Sequence, residues 1–254
     1  MNTDIFIGLN RFLPRRWRWA VKRFLRLNQG LIHPQLNCIN FSSGPNIIFD
    51  VGANRGNFAT NILLRAPLSQ VHGFEPNPEI FSIFEEVSNN VGKNNGKPRI
   101  IANQCGVGSS TGQAEFIINK AHYTSSFLPV SEGVVKGFPD TDFSEVKRVP
   151  VQVTTIEKYA VEHQILNAKL LKIDVQGYEL EVLKGCGEFL DRIEYVFVEV
   201  EFKTLYVGSP SWRSIVSFLF KRGFHPVTMT GFCLSPDGEL LQGDLLFKSN
   251  RSYD

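Results

Sequence analysis

From residue 46 to about residue 225, short apolar runs alternate with segments of helical periodicity, and this alternation constrains the fold more than any other feature of the chain. Ile47-Ile48-Phe49-Asp50-Val51 is the kind of run found in a strand buried on both faces. The next segment puts Phe58, Ala59, Ile62 and Leu63 on one helical face and stops at Pro67. Val71 to Glu75 reads as a second strand. Asn77 then suits an N-cap, Pro78 the first helical position and Glu79 the first turn, with Ile80, Phe84, Val87 and Val91 on the inner face. Arg99 to Cys105 reads as a third strand. Further on, Thr154-Thr155-Ile156-Glu157 matches a capping box that opens a helix. Leu170 to Asp174 is a strand, Tyr178 to Cys186 a helix, and Tyr195 to Val200 a strand. Ser209-Pro210 starts another helix, with Trp212, Ile215, Val216 and Leu219 inward and Gly223 closing it. Serial strand–helix units imply an α/β fold: a mostly parallel sheet with helices on both faces. Pro226 to Thr230 and Asp244 to Lys248 are strands with no helix between them, which predicts an antiparallel edge.

Two regions stand outside the repeat. Residues 106–153 are rich in Gly, Ser and Thr, with β-like stretches at Ala114 to Ile118 and Val149 to Val153. They read as an inserted hairpin with a mobile loop around 120–147, and a loop that long in a compact domain is usually functional or disordered. Residues 1–45 read as a basic, aromatic extension preceding a domain at 46–254. Residues 1–30 hold seven basic residues and one acid, a net of +6; the whole chain is +2, which leaves −4 for residues 31–254. Apolar and basic residues interleave there at roughly helical spacing, which suits either a helix lying on an anionic membrane or one packed on its own domain.

Composition removes several function classes. No apolar stretch approaches the length of a membrane span, and the N-terminus lacks the pattern of a secretory signal. Cys38, Cys105, Cys186 and Cys233 form no Cys-x-x-Cys pair, so reduced thiols in a cytoplasmic protein, peripheral at the membrane if residues 1–30 bind lipid, are the expectation. The acidic body argues against backbone-driven nucleic-acid binding.

Chemistry concentrates at three strand ends. Asp50-Val51-Gly52-Ala53-Asn54-Arg55-Gly56 follows the first strand, where open α/β sheets bind ligands and where glycine lets the backbone come close. The spacing is not G-x-G-x-x-G, and a tight β–α turn alone would also explain it. Glu75 ends the second strand, where an acid can accept hydrogen bonds from a ribose diol. Asp174 ends a central strand and Glu179 opens the next helix, where its charge also suits the helix dipole. Two acids there can orient a cationic ligand, hold a metal or take a proton.

These segments carry a resemblance. Phe49 to Gly56, Phe74-Glu75-Pro76-Asn77-Pro78 and Leu171 to Glu179, with Val198-Glu199-Val200, resemble the FkbM-type family of S-adenosylmethionine-dependent methyltransferases over about residues 46–225. Gln176 departs from the family, which often has Glu there. The resemblance implies a class I, Rossmann-like methyltransferase fold, with a seven-stranded sheet whose last strand is antiparallel. It implies that Asp50, Gly52, Asn54 and Gly56 line the methionine end of S-adenosylmethionine, that Glu75 holds the ribose, and that Gln104, Cys105 and Gly106 sit near the adenine. Asp174 would lie near the transferred methyl group. The family is associated with O-methylation of small-molecule, sugar or glycoconjugate hydroxyls.

A hydroxyl nucleophile needs a proton acceptor, and Asp174, Glu199, His122 and His225 are the candidates. His122 lies in the inserted loop beside Tyr123, Ser125 and Ser126. A divalent cation on Asp174 and Glu199 would instead lower the hydroxyl's pKa; base and metal stay open, and no metal is assigned. Other readings are an NAD(P)-dependent Rossmann oxidoreductase and a non-catalytic binding protein that kept the fold. Against the first stand the glycine spacing and the lack of a Tyr-x-x-x-Lys pair.

Overall fold

The computed structural model describes residues 34–41, 44–132 and 134–251. The chain divides into two compact units, residues 1–39 and 40–254. In the first, the described part is a 3-10 turn, Pro34–Cys38. The membrane expectation for residues 1–30 lies outside the described residues. Among those described, no helix is long and apolar enough to cross a membrane.

The second unit is built on a seven-stranded sheet. Its strands are β1 (Ile47–Val51), β2 (Gln70–Phe74) and β3 (Ile100–Asn103), then β6 (Ala168–Ile173), β7 (Ile193–Glu201), β8 (Phe224–Leu234) and β9 (Leu240–Ser249). The spatial order is β8-β9-β7-β6-β1-β2-β3. Strands β3, β2, β1, β6 and β7 pair in parallel, while β9 runs antiparallel to both β7 and β8. The last strand is therefore antiparallel as expected, but it lies inside the sheet, and the edge beside it is β8.

Five helices cover the sheet: α1 (Asn57–Arg65), α2 (Pro78–Val91), α3 (Ile156–Glu162), α4 (Glu179–Lys184) and α5 (Trp212–Lys221). Alternation along the strands divides the core between them. Phe49, Val51, Leu171 and Ile173 join Ile156, Val182, Ile215 and Leu219 from α3, α4 and α5. On the opposite face, Phe58 of α1 stacks on Phe197 at 6.5 Å. Gly73 faces Phe84 of α2 so closely that a Cβ would lie 2.4 Å from the ring.

Local signals set the helix starts. The Asn77 side chain accepts from the Glu79 N–H at 3.1 Å, with Pro78 in the first position. Two starts differ from expectation. The N-cap of α3 is Thr155, whose hydroxyl accepts from the Lys158 N–H, because Thr154 still belongs to a strand. Glu157 thus falls one position short of a capping box and accepts from the Glu188 N–H at 2.7 Å instead. Ser211, not Ser209, caps α5.

The insertion forms a separate three-stranded sheet. Strands β4 (Gly112–Asn119) and β5 (Glu145–Thr154) pair antiparallel, and Gly106–Val107 joins β5 in parallel. Both strands exceed the expected stretches. The segment between them is folded: Thr124, Ser125, Ser126 and Val134 are buried, and residues 129–131 pair by backbone with Leu205 and Val207. The side chains of Ser126 and Tyr206 complete that attachment, so the expected mobile loop is a packed wall of the site.

Candidate active site

A cavity of about 290 Å³ opens at the carboxyl ends of β1, β2, β6 and β7. Strand β1 delivers Gly52 and Asn54, β2 delivers Glu75, β6 delivers Asp174 and Gln176, and β7 delivers Glu199, all into this one space. Cys105, Gly106 and His122 line it too, with an apolar wall that includes Phe116, Phe127, Phe138 and Phe143.

The glycine turn is shaped by its neighbours. Gly52 (φ +77) presses on the start of the Asp174 turn, and a Cβ there would lie 1.9 Å from the Asp174 carbonyl oxygen. The Gly52 and Ala53 N–H groups both donate to the Phe74 carbonyl, at 3.1 and 2.9 Å. Asn54 has φ +49, a conformation Asn tolerates better than most residues. Glu75 ties the turn to the end of β2: Oε2 accepts from the Asn54 N–H at 2.9 Å and Oε1 from the Asn77 N–H at 2.8 Å. Burial pushes the Glu75 carboxyl up to about 7, against the pull of these two bonds.

Beneath the turn, Lys172 of β6 donates to the Gly52 carbonyl at 2.8 Å and pairs with Asp50 at 3.1 Å. Burial alone would lower this ammonium, but Asp50 and Asp174 outweigh it and raise it to about 12.

Asp174 and Glu199 share a single amide. Gln176 Nε2 donates to Asp174 Oδ1 at 2.8 Å and to Glu199 Oε2 at 2.9 Å, and Gln242 Nε2 donates to Glu199 Oε1 at 2.8 Å. Burial, reinforced by Asp174, Glu179 and Asp244, holds the Glu199 carboxyl well above the usual range. Glu179 is buried, and its Oε1 accepts from the Val175 and Gly177 N–H groups at 3.2 and 3.0 Å. It organises the Asp174 turn as well as facing the start of α4. His122 opens a 3-10 turn, with Nδ1 3.5 Å from Asn54 Nδ2. Burial and nearby Arg55 keep its imidazole below the ordinary histidine range.

The expected residues thus divide into groups. Gly52, Asn54, Glu75, Cys105, Gly106, His122, Asp174 and Glu199 meet in the cavity. Asp50 lies fully buried behind it, and Gly56 sits at the N-cap of α1 against Phe84, so each supports the turn from behind. Gln104 is exposed and outside the cavity wall. His225 is at the start of β8, paired with Lys248 and bonded to Asn250, at the opposite end of the sheet. As a base at this site it is excluded by position. Lys172, Tyr206, Leu205 and Gln242 were not singled out from the sequence. A lysine inside the run Leu170-Leu171-Lys172-Ile173 was the available signal for the first.

Among the described residues, no group of three or more His, Cys, Asp or Glu side chains is arranged to hold a metal ion.

Several known proteins resemble this chain. It is 27% identical over 156 residues to the hexuronic acid methyltransferase AglP of Haloferax volcanii, covering 61% of this chain and 55% of that protein. It is 25% identical over 194 residues to the 2-O-methyltransferase NoeI of Sinorhizobium fredii, covering 74% and 76%. The chain thus spans about half the length of the first of these relatives and three quarters of the second. The fold matches the crystal structure of a methyltransferase FkbM from Methylobacillus flagellatus, with a TM-score of 0.52 at 14% identity, over 85% of this chain and 46% of that one. The family model described as the methyltransferase FkbM domain matches residues 50–226, more than half of the sequence, and the chain belongs to that family.

Proposed function

We propose that this protein is an S-adenosylmethionine-dependent O-methyltransferase acting on a hydroxyl of a small-molecule, sugar or glycoconjugate acceptor. The observation that carries this reading is the convergence of the Gly52 turn, Glu75 and the Asp174–Glu199 pair on one cavity at the carboxyl end of the sheet. Family membership supports methyl transfer. The names of the relatives, a hexuronic acid methyltransferase and a 2-O-methyltransferase, favour an oxygen nucleophile on a sugar-like acceptor.

The residues present fit the cofactor. Each Glu75 oxygen accepts one backbone N–H and keeps a lone pair for a hydroxyl donor. Gly52, Asn54, Cys105 and Gly106 offer backbone and small side chains along the same wall. When bound, S-adenosylmethionine supplies a methyl group already activated on a sulfonium. The chain supplies proximity and orientation, worth roughly 7–11 kcal/mol when geometry is well fixed. The Asp174 carboxylate lines the cavity with its side chain 42% exposed and takes the hydroxyl proton. Glu199, whose carboxyl burial holds above the usual range, stands beside it. His122, whose imidazole lies below the ordinary histidine range, also lines the cavity and is the alternative acceptor.

Calorimetric titration with S-adenosylmethionine and S-adenosylhomocysteine tests the reading. Wild type is expected to bind both, and Glu75→Ala to weaken both by about tenfold or more. Folded wild type that binds neither overturns the assignment. The basic, aromatic residues 1–30 are proposed to touch an anionic membrane or a lipid-linked acceptor, making a cytoplasmic enzyme peripheral at that surface. Equal flotation with anionic liposomes after deletion of residues 1–30 ends that idea.

A further inference from the structure

Asp174 and Glu199 come from different strands and face the same cavity, where two half-buried carboxylates repel each other. One side chain stands between them. Gln176 Nε2 places one hydrogen on Asp174 Oδ1 at 2.8 Å and the other on Glu199 Oε2 at 2.9 Å, so both donors of the amide are used. The orientation of the amide is fixed, because Gln176 Oε1 accepts from the Tyr206 hydroxyl at 2.9 Å. Its backbone is fixed as well: φ is +58, and Ser126 Oγ donates to the Gln176 carbonyl at 2.7 Å.

The same residue joins the acid pair to the inserted wall. The Tyr206 hydroxyl also lies 2.9 Å from the Thr124 carbonyl. Around it, the Val207 N–H donates to Pro129 at 2.7 Å and the Ser131 N–H to Leu205 at 2.8 Å. Lys172 adds positive charge from below, 3.7 Å from Asp174 Oδ2, while Glu179 and Asp244 add negative charge around Glu199.

We propose that Gln176 is a positioning residue of the methyl-transfer site, its carboxamide doing with two N–H donors what a bridging divalent cation would otherwise do. It holds Asp174 and Glu199 in one arrangement and fastens them to the inserted wall through Ser126 and, by way of Tyr206, Thr124. The inference rests on the reading of the site given above. A side chain that only filled space would leave the cation affinity of the pair unchanged on replacement by another neutral residue. A bridging amide, once removed, leaves oxygen ligands that suit a hard divalent ion.

Calorimetry with manganese chloride on wild type, Gln176→Glu and Gln176→Asn makes the test, with S-adenosylhomocysteine titrated into each sample. Gln176→Glu puts a carboxylate oxygen between two others and is expected to bind Mn²⁺ at least about tenfold more tightly than wild type. Gln176→Asn keeps a residue that tolerates positive φ but is one methylene too short to span both carboxylates. It adds no charge, is expected to gain about threefold or more, and carries the test, with Gln176→Glu as the control that the site can take the ion. Equal Mn²⁺ affinity in wild type and the folded variants, alongside normal S-adenosylhomocysteine binding, overturns this inference and leaves the site reading standing. Tight Mn²⁺ binding by wild type that is lost in Asp174→Asn also overturns it. Absence of S-adenosylhomocysteine binding by wild type instead removes the site reading on which the inference rests.

Discussion

The Lys172 ammonium lies 3.1 Å from Asp50 Oδ1 beneath the glycine turn, with the Lys172 side chain 7% exposed and Asp50 at 0%. The two residues sit side by side in the β1–β6 register, Asp50 opposite Lys172. The cation also donates to the Gly52 carbonyl, so one buried pair fixes the strand end on which the cavity is built. A polar pair in this apolar layer is costly to bury and still more costly to break.

Lys172→Met is therefore expected to destabilise the protein by about 3–5 kcal/mol, because it leaves Asp50 charged and unpaired in the core. Asp50→Asn combined with Lys172→Met is expected to recover part of that loss. Urea unfolding of both variants measures it, and a single variant within about 1 kcal/mol of wild type rejects a structural role for the pair. The pH dependence has a definite sign. Lys172 titrates near 10.5 in the unfolded chain and is raised to about 12 in the fold. Its contribution is complete below the lower value and is lost as pH rises through the upper one.

Gly52→Ala is expected to abolish S-adenosylhomocysteine binding and to lower stability beyond ordinary backbone strain. The added Cβ would meet the Asp174 carbonyl oxygen at 1.9 Å, and backbone there cannot step aside. Gly92 is the control: φ is +82, similar to Gly52, yet nothing lies within 4 Å of its Cβ position. Gly92→Ala should cost only about 1–3 kcal/mol of backbone strain, φ +82 with ψ −163 being almost confined to glycine, and leave binding intact. Equal losses of stability and affinity in the two variants would mean that close approach at Gly52 is unimportant.

Much of this site was legible because its chemistry is local. Gly52, Glu75 and Asp174 each follow a strand whose apolar run is plain in the sequence, and a strand end in a parallel sheet predicts where a ligand binds. The residues that were not legible act across the sheet. Gln242 reaches Glu199 from β9, 43 residues away, and only the antiparallel register of β7 and β9 brings them together. Tyr206 and Leu205 follow β7 in a stretch without periodicity, held by backbone pairing to residues 129–131 that no side-chain pattern announces. The capping box failed by one residue for a related reason: Thr154 is claimed by the β5 ladder, which the local motif could not foresee.

Glu75 predicts a pH-dependent affinity. Its carboxyl is raised to about 7 by burial, so under the proposed ribose contact the ligand's hydroxyls meet a protonated group below that pH. S-adenosylhomocysteine affinity should rise as pH increases through about 7 and level off above it. Glu75→Gln should bind more weakly, since an amide cannot accept from both the Asn54 and Asn77 N–H groups, and its affinity should be flat over the same range. Calorimetry at several pH values compares the two; parallel curves would assign the slope to another group.

Glu179 gives a prediction of the opposite practical kind, a substitution expected to help. Its carboxyl is buried in the turn behind Asp174, and burial with Glu201 nearby raises it to about 8. The folded state therefore favours the proton more than the unfolded chain, whose glutamate titrates near 4.5. Stability from this group is complete below that value and declines as pH rises towards 8. The bonds to the Asp174 turn run to one oxygen: Oε1 accepts from both the Val175 and Gly177 N–H groups. Gln supplies the same oxygen without the charge, so Glu179→Gln is expected to match wild type in acid and to exceed it progressively towards pH 8. Glu179→Ala removes the acceptor, leaves two N–H groups of the turn without it, and is expected to cost about 1–3 kcal/mol per orphaned group at every pH. Urea unfolding across that pH range distinguishes the cases, and coincident curves for wild type and Glu179→Gln would show that the carboxyl titrates alike in the folded and unfolded chain.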